Sequence, residues 1–320
     1  MKNVLDLSII TTMYYSAPHI EEFYSRIVAA AEATDLRFEL IFVDDGSPDN
    51  SLQIALELCE QDERVRVVEL SKNFGHHPAI MTGLAQGRGE LFFLIDCDLE
   101  EQPEWLGHFS SELRTAKADV VYGVQDLRKG GLGERLSGSF FYSVFNVISP
   151  CAIPRNPTVA RLMTRQYVDA LLQHAEREIM LSGLFALAGF RQIPLSVVKK
   201  SKGSSTYTMG KKIALMVNGV TSFSTAPLVF VFYLGLIIFI FSTLFFFYRI
   251  FIFYLRDAIM PGYTTIAASI WILGGLTIFS VGLVGIYVSR VFSEVKQRPR
   301  TIVKKVHSGA NTGDASHDDH

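Results

Sequence analysis

Through roughly its first two hundred residues, the chain alternates short apolar runs with stretches whose apolar residues recur every three or four positions. "LSIITTM" predicts a first strand, and "PHIEEFYSRIVAAAEAT" a helix with a proline near its start. "FELIFVDDGS" predicts a second strand that runs into acid, and "PDNSLQIALELCEQ" a second helix. "VRVVELS" predicts a third strand, followed by "HPAIMTGLAQGRG", a helix closing on Gly87 and Gly89. "ELFFLID" and "ADVVYGV" supply two more strands. Such alternation argues for a layered α/β domain built on a mostly parallel sheet.

The pattern changes after Pro227. From Leu228 to Tyr248 about 21 residues run without a charge, a length that at ~1.5 Å per residue matches a ~30 Å hydrocarbon core. A second uncharged run extends from Thr264 to Val288. Two such runs joined by a short loop predict a membrane-spanning hairpin, with buried helices of a folded core as the alternative. Lys211 and Lys212 precede it, and Arg290, Lys296, Arg298, Arg300, Lys304 and Lys305 follow it, whereas the loop holds Arg256 beside Asp257. The positive-inside bias then predicts a multi-pass protein of the bacterial inner membrane, in contact with the lipid bilayer, with both termini cytoplasmic. The predicted organisation is an α/β domain over 1–207 and an interfacial amphipathic segment over 208–227. The hairpin follows over 228–290 (helices about 228–250 and 264–288), then a basic juxtamembrane segment over 291–307 and a disordered tail over 308–320.

Composition agrees with this pattern: 49% of the residues are hydrophobic and the mean hydropathy is +0.25. A formal charge of −2 gives no footprint for a nucleic-acid partner. The three cysteines, Cys59, Cys97 and Cys151, are too few and too scattered for a disulfide framework. The N-terminus lacks the apolar core and cleavage site of a signal peptide.

In parallel sheets, ligands gather beyond the carboxyl ends of the strands. Two acid clusters are predicted there: Asp44-Asp45 after the second strand, and Asp96-Cys97-Asp98 after the fourth. Neither G-x-G-x-x-G after the first strand nor G-x-x-x-x-G-K-[ST] occurs, which leaves the dinucleotide reading little support and removes the P-loop. A nucleotide-binding sheet that meets phosphates with acids needs a cation between them. Mg²⁺ or Mn²⁺, held by Asp96 and Asp98, would neutralise a diphosphate leaving group. Cys97 is read as a small buried filler between them. His76 and His77 suit loop packing as well as a site, and "KGGLGER" suits a mobile lid as well as a surface turn.

"IFVDDGSPDNS", "LSKNFGHHPAIMTGL", "IDCDLEEQPE" and "SFSTAPL", in this order and followed by the two apolar runs, resemble the family-2 glycosyltransferases. Within them the likeness is to polyprenyl-phosphate glycosyltransferases, the group of dolichyl-phosphate mannose synthase and the bactoprenol glucosyltransferases, and it covers residues 4 to 306. The resemblance implies a GT-A-type, Rossmann-like nucleotide-sugar-binding domain followed by a two-helix transmembrane hairpin. It implies inverting transfer of a sugar from a nucleoside diphosphate sugar to a polyisoprenyl (undecaprenyl-type) phosphate at the cytoplasmic face. The product would be a lipid-linked monosaccharide for glycan or O-antigen modification of the cell envelope. Homo-oligomerisation through the hairpin is a further expectation.

Carried over residue by residue, the likeness assigns donor contacts to Thr11, Tyr15, Asp44, Asp45, Lys72, Asp96 and Asp98, with the cation on Asp96 and Asp98. It assigns Arg161, Arg177, Lys200 and Lys202 to the acceptor phosphate, and catalysis to Asp98, Arg161, Arg177 and Lys200. The chain departs from the family pattern at Thr12, Tyr15 and Ser16, at Lys72, at Glu101 in an aspartate's place, at Val159 and Ala160, and at Thr206. These changes cluster around the donor and acceptor contacts. The alternatives are a transferase of this family with another acceptor and a non-catalytic sugar-nucleotide-binding membrane protein.

Overall fold

A computed structural model describes residues 5–125, 157–174, 181–199 and 262–309, with residues 228–248 described in part. These form two compact units. The first comprises Met1–Tyr142, Cys151–Thr206 and Arg298–His320, and the second Ser143–Pro150 and Tyr207–Gln297.

In the first unit β1 (Leu7–Met13), α1 (Ile20–Glu32), β2 (Phe38–Asp44), α2 (Ser51–Gln61), β3 (Val65–Leu70), α3 (His76–Gln86) and β4 (Leu91–Leu94) follow the predicted alternation. Then come α4 (Trp105–Ala116), β5 (Val120–Val124), β6 (Pro157–Thr164), α5 (Arg165–Leu172), α6 (Leu181–Leu187), β7 (Gln192–Ser196) and, from the chain's end, β8 (Val303–Ser308). One sheet holds all eight strands in the order β7-β5-β6-β4-β1-β2-β3-β8. The centre is parallel, since β1 pairs in parallel with β2 and β4, and β2 with β3. The sheet as a whole is mixed, because β6 runs antiparallel to β4 and β5, and β8 antiparallel to β3.

Helices on both faces explain why β1, β2 and β3 read as nearly unbroken apolar runs. On α1 the buried positions Ile20, Phe23, Ile27 and Ala31 fall on one helical stripe. Phe23, Phe42, Phe92, Phe93 and Phe109 are fully buried, each stabilising the fold by about 1.5–3 kcal/mol relative to exposure in water. On α3, Gly83 allows closest approach. A Cβ there would come within 2.5 Å of Ile10 Cγ2 and 2.8 Å of Val43 Cγ2, so any side chain would lever the helix off β1 and β2.

The second unit contains residues 228–235 in helical form and α7 (Tyr263–Val295). Here the membrane expectation is corrected. A span needs about 20 consecutive apolar residues in one helix, and among the described residues no helix is long and apolar enough to cross a membrane. No transmembrane hairpin is therefore shown among the described residues, and the multi-pass inner-membrane localisation is withdrawn. The stretch read as a basic juxtamembrane segment instead ends in β8, an edge strand of the first unit. Cys151, Arg177, Lys200, Lys202, the loop "KGGLGER" and the segments 208–227 and 310–320 lie outside the described residues.

Candidate active site at the carboxyl edge of the sheet

Because β1 to β4 run the same way, their carboxyl ends open on one edge of the sheet. Strand β5 also points there, being antiparallel to β6, and β7 points there through its parallel pairing with β5. Both predicted acid clusters are on this edge.

The loops after β1 and β2 are laced together. Asp45 N–H donates to Met13 O at 3.0 Å, Tyr15 N–H to Ser47 Oγ at 3.0 Å, and Ser16 N–H to Ser51 Oγ at 2.9 Å. Tyr15 stands at the mouth, 63% exposed, with a φ of 55°. That left-handed backbone is costly for an aromatic residue, and such strain concentrates at sites that bind. Gly46 also takes a positive φ, +65°, and a Cβ there would lie 2.6 Å from Asn73 N, so only glycine lets this turn press on the 72–75 loop.

The two acids of the first cluster have different neighbours. Asp45 Oδ1 accepts from Phe74 N–H at 2.7 Å and Oδ2 from Gly75 N–H at 2.9 Å, just ahead of α3. It shapes the loop that carries Lys72, which is exposed with its Nζ 5.2 Å from the Phe74 ring centroid. Asp44 accepts from Ser47 N–H at 3.2 Å. Burial pushes its carboxyl up to about 6, and the charge of Glu69 adds to the rise against the pull of that hydrogen bond.

At the second cluster the chain turns sharply. Leu99 takes a φ of 62° while Asp98 Oδ1 accepts from Glu100 N–H at 3.0 Å. Cys97 turns into the core and donates its thiol to Thr12 O at 3.1 Å, so Asp96 and Asp98 flank a buried residue. Asp96 lies well above the usual carboxylate range, through burial first and the charge of Asp98 second. His76, opening α3, spans the two central strands. Its Nδ1 is 3.1 Å from Thr12 Oγ1 and its Nε2 is 3.5 Å from Asp96 Oδ1. Burial lowers the imidazole below its ordinary value, which favours the neutral ring.

The loop closes on Glu101, whose side chain is fully buried. Its Oε1 accepts from Val159 N–H at 3.0 Å and its Oε2 from Ala160 N–H at 2.8 Å, pinning the acid loop to the start of β6. Lys199 Nζ completes the arrangement, 3.1 Å from Glu100 Oε2 and 3.6 Å from Glu101 Oε1. Burial opposes its charge, but the acids Glu101 and Glu100 outweigh it and hold the ammonium protonated.

Of the donor residues expected from the sequence, Tyr15, Asp44, Asp45, Asp96 and Asp98 share this edge. Thr11 is fully buried within β1. Arg161, in β6, is buried as well. It donates to Val159 O at 3.1 Å and Thr158 O at 3.3 Å, and its Cζ lies 3.3 Å from the Phe185 ring centroid. Burial depresses its guanidinium to about 10. Sequence reasoning missed Lys199, the one described cation found against the acid loop, and it missed Glu69, Lys304 and His307 beside Asp44.

Among the described residues, no three His, Cys, Asp or Glu side chains converge on a common metal position. The two carboxylates do fit a hard cation that arrives with its own phosphate ligands, the usual way Mg²⁺ is bound by one or two carboxylates plus substrate.

An α/β sheet with acids at the ends of β2 and β4, on either side of β1, suits a protein that handles nucleotide sugars, and the comparisons agree. The family model described as "Glycosyl transferase family 2" matches residues 8–172. The chain belongs to that family, with a GT-A-like fold, and is a hexosyltransferase. A Mycobacterium tuberculosis protein whose name goes no further than glycosyltransferase is 49% identical over 94% of this chain and 88% of its own length. The uncharacterized glycosyltransferase YkcC of Bacillus subtilis is 30% identical over 95% of each chain. A prophage-derived bactoprenol glucosyl transferase of Shigella flexneri is 29% identical over 95% of this chain and 99% of its own.

Proposed function

We propose that the protein transfers a sugar, with inversion, from a nucleoside diphosphate sugar to a polyprenyl phosphate, giving a lipid-linked monosaccharide. The observation that carries this reading is the meeting of Asp96, Asp98 and the acid-held Lys199 at the same edge of the sheet as Asp44. The bactoprenol relative supports the acceptor class.

In this reading Asp44 receives the nucleoside, and Asp45 fixes the loop that brings Lys72 toward the phosphates. Asp96 and Asp98 would hold Mg²⁺ or Mn²⁺, which when bound offsets charge on the departing diphosphate. His76 orients Asp96. The acceptor needs no general base, because a phosphate monoester has a second pKa near ~6 and arrives largely ionised. Its oxygen attacks the anomeric carbon from the face opposite the leaving group, and the diphosphate departs with the bonding electrons. What the chain must supply is cation to seat the incoming phosphate. Lys199 stands at the acid loop for this, and Arg177, Lys200 and Lys202 are proposed to join it. Arg161 supports β6, with its guanidinium engaged by two carbonyls and an aromatic ring.

The test is release of nucleoside diphosphate from a panel of nucleotide sugars, with and without polyprenyl phosphate. Release that requires the lipid supports the proposal. Release without it means another acceptor, and no release from any donor means that the protein binds without catalysing.

A further inference from the structure

The C-terminal segment returns to the first unit and is fastened along its length. Arg300 donates to His174 O, Thr301 Oγ1 lies 2.7 Å from Thr82 Oγ1 on α3, and Ser71 N–H donates to Ile302 O at 2.9 Å. Strand β8 then pairs with β3, with an irregular register between Glu69 and Leu70.

Asp44 and Glu69 are directly paired across β2 and β3. Paired residues of parallel neighbours point to the same face, so two carboxylates stand side by side with little water around them, 2% and 9% exposed. Like charges in that position repel. From β8, Lys304 Nζ donates to Glu69 Oε1, and His307 Nε2 lies 3.4 Å from Glu69 Oε2. Burial alone would raise the Glu69 carboxyl, yet Lys304 and His307 bring it below its ordinary value. Lys304 also lies within electrostatic reach of Asp44, but its ion pair is made to Glu69.

We propose that β8 is a working part of the donor site, in which Lys304 and His307 are positioning residues that hold Glu69 and so leave Asp44 open to the incoming nucleoside. The inference rests on the donor reading given above. Were β8 only a cover for the exposed edge of β3, any substitution that kept the strand paired would leave nucleotide binding unchanged.

The experiment is calorimetric titration of the full chain with UDP, GDP and dTDP in Mg²⁺, with thermal unfolding as the control for folding. Lys304→Met and the double variant Lys304→Met/His307→Gln unfold near the wild-type temperature but bind the preferred diphosphate about fivefold more weakly, the scale of one partly exposed ion pair. Adding Glu69→Gln to either restores affinity to within about twofold, because the charge they answered is gone. Lys305→Met, opposite Glu69 in the register while the ion pairs to its carboxylate come from Lys304 and His307, changes affinity by less than about twofold. Unchanged affinity in the folded double variant overturns the proposal, as does failure of Glu69→Gln to rescue it. If the wild type binds none of the three diphosphates, the donor reading itself fails and this inference goes with it.

Discussion

The imidazole of His76 lies 3.5 Å from Asp96 through its Nε2 atom, while its other nitrogen touches Thr12 on the neighbouring strand. The ring therefore joins the end of β1 to the end of β4 and fixes one of the two carboxylates proposed to meet the diphosphate. His76→Ala should lower kcat by about tenfold, in the range typical of lost positioning at a reacting centre. His76→Gln, which retains a polar group near Asp96, should recover part of it. Steady-state kinetics of both variants provide the check.

Asp44 should show opposite effects on stability and on binding. A carboxyl held at about 6 in the fold, against a reference of 3.8, binds its proton more tightly when folded. The native state then loses stability as pH rises from about 4 through about 6, and carries the full cost above that. Asp44→Asn abolishes this titration. Its gain should be about 1–2 kcal/mol at pH 7.5, after allowance for solvent screening, and close to nothing near pH 4. Urea unfolding at the two pH values measures it. The same variant should bind nucleoside diphosphate about tenfold more weakly.

Glu101 is structural in effect although it sits among the site's acids. Glu101→Ala would strand the N–H groups of Val159 and Ala160 and leave Lys199 with only Glu100. A cost of about 3 kcal/mol is expected, visible as a lowered urea midpoint, with Glu101→Asp intermediate because its carboxylate is one methylene short.

Arg161 and Lys199 can be told apart. Arg161→Met removes a buried guanidinium from two carbonyls and the face of Phe185, so it should destabilise the fold by about 3 kcal/mol. Lys199→Met should leave the unfolding midpoint within about 1 kcal/mol of wild type and raise KM for the lipid phosphate about tenfold. Chemical unfolding together with acceptor kinetics separates the two roles.

Much of this was legible in the sequence, and for a physical reason. Strands β1 to β4 are covered on both faces, so they read as apolar runs, and the acids beyond β2 and β4 stand out against them. Lys199 was not legible, because its relevance arises only when β7 pairs in parallel with β5 and delivers it next to Glu100. Arg161 was legible as a residue but not in its surroundings, since the sequence does not show that Phe185 lies under it. Strand β8 reads "VKKVHS", a short and lysine-rich edge with no apolar alternation to distinguish it from a basic tail. The apolar runs beyond Pro227 carried signals of length and flanking charge, and neither settled what the described helices do.

The central claim is that Asp96 and Asp98 grip a nucleotide's diphosphate through a divalent cation. The most direct measurement is the Kd of the preferred nucleoside diphosphate for wild type and Asp98→Ala, each with Mg²⁺ or Mn²⁺ and again with EDTA. The account predicts that the cation tightens wild-type binding at least about tenfold, and that Asp98→Ala binds weakly and equally under both conditions. Equal wild-type affinity with and without the cation, together with an unchanged Kd in Asp98→Ala, would contradict it.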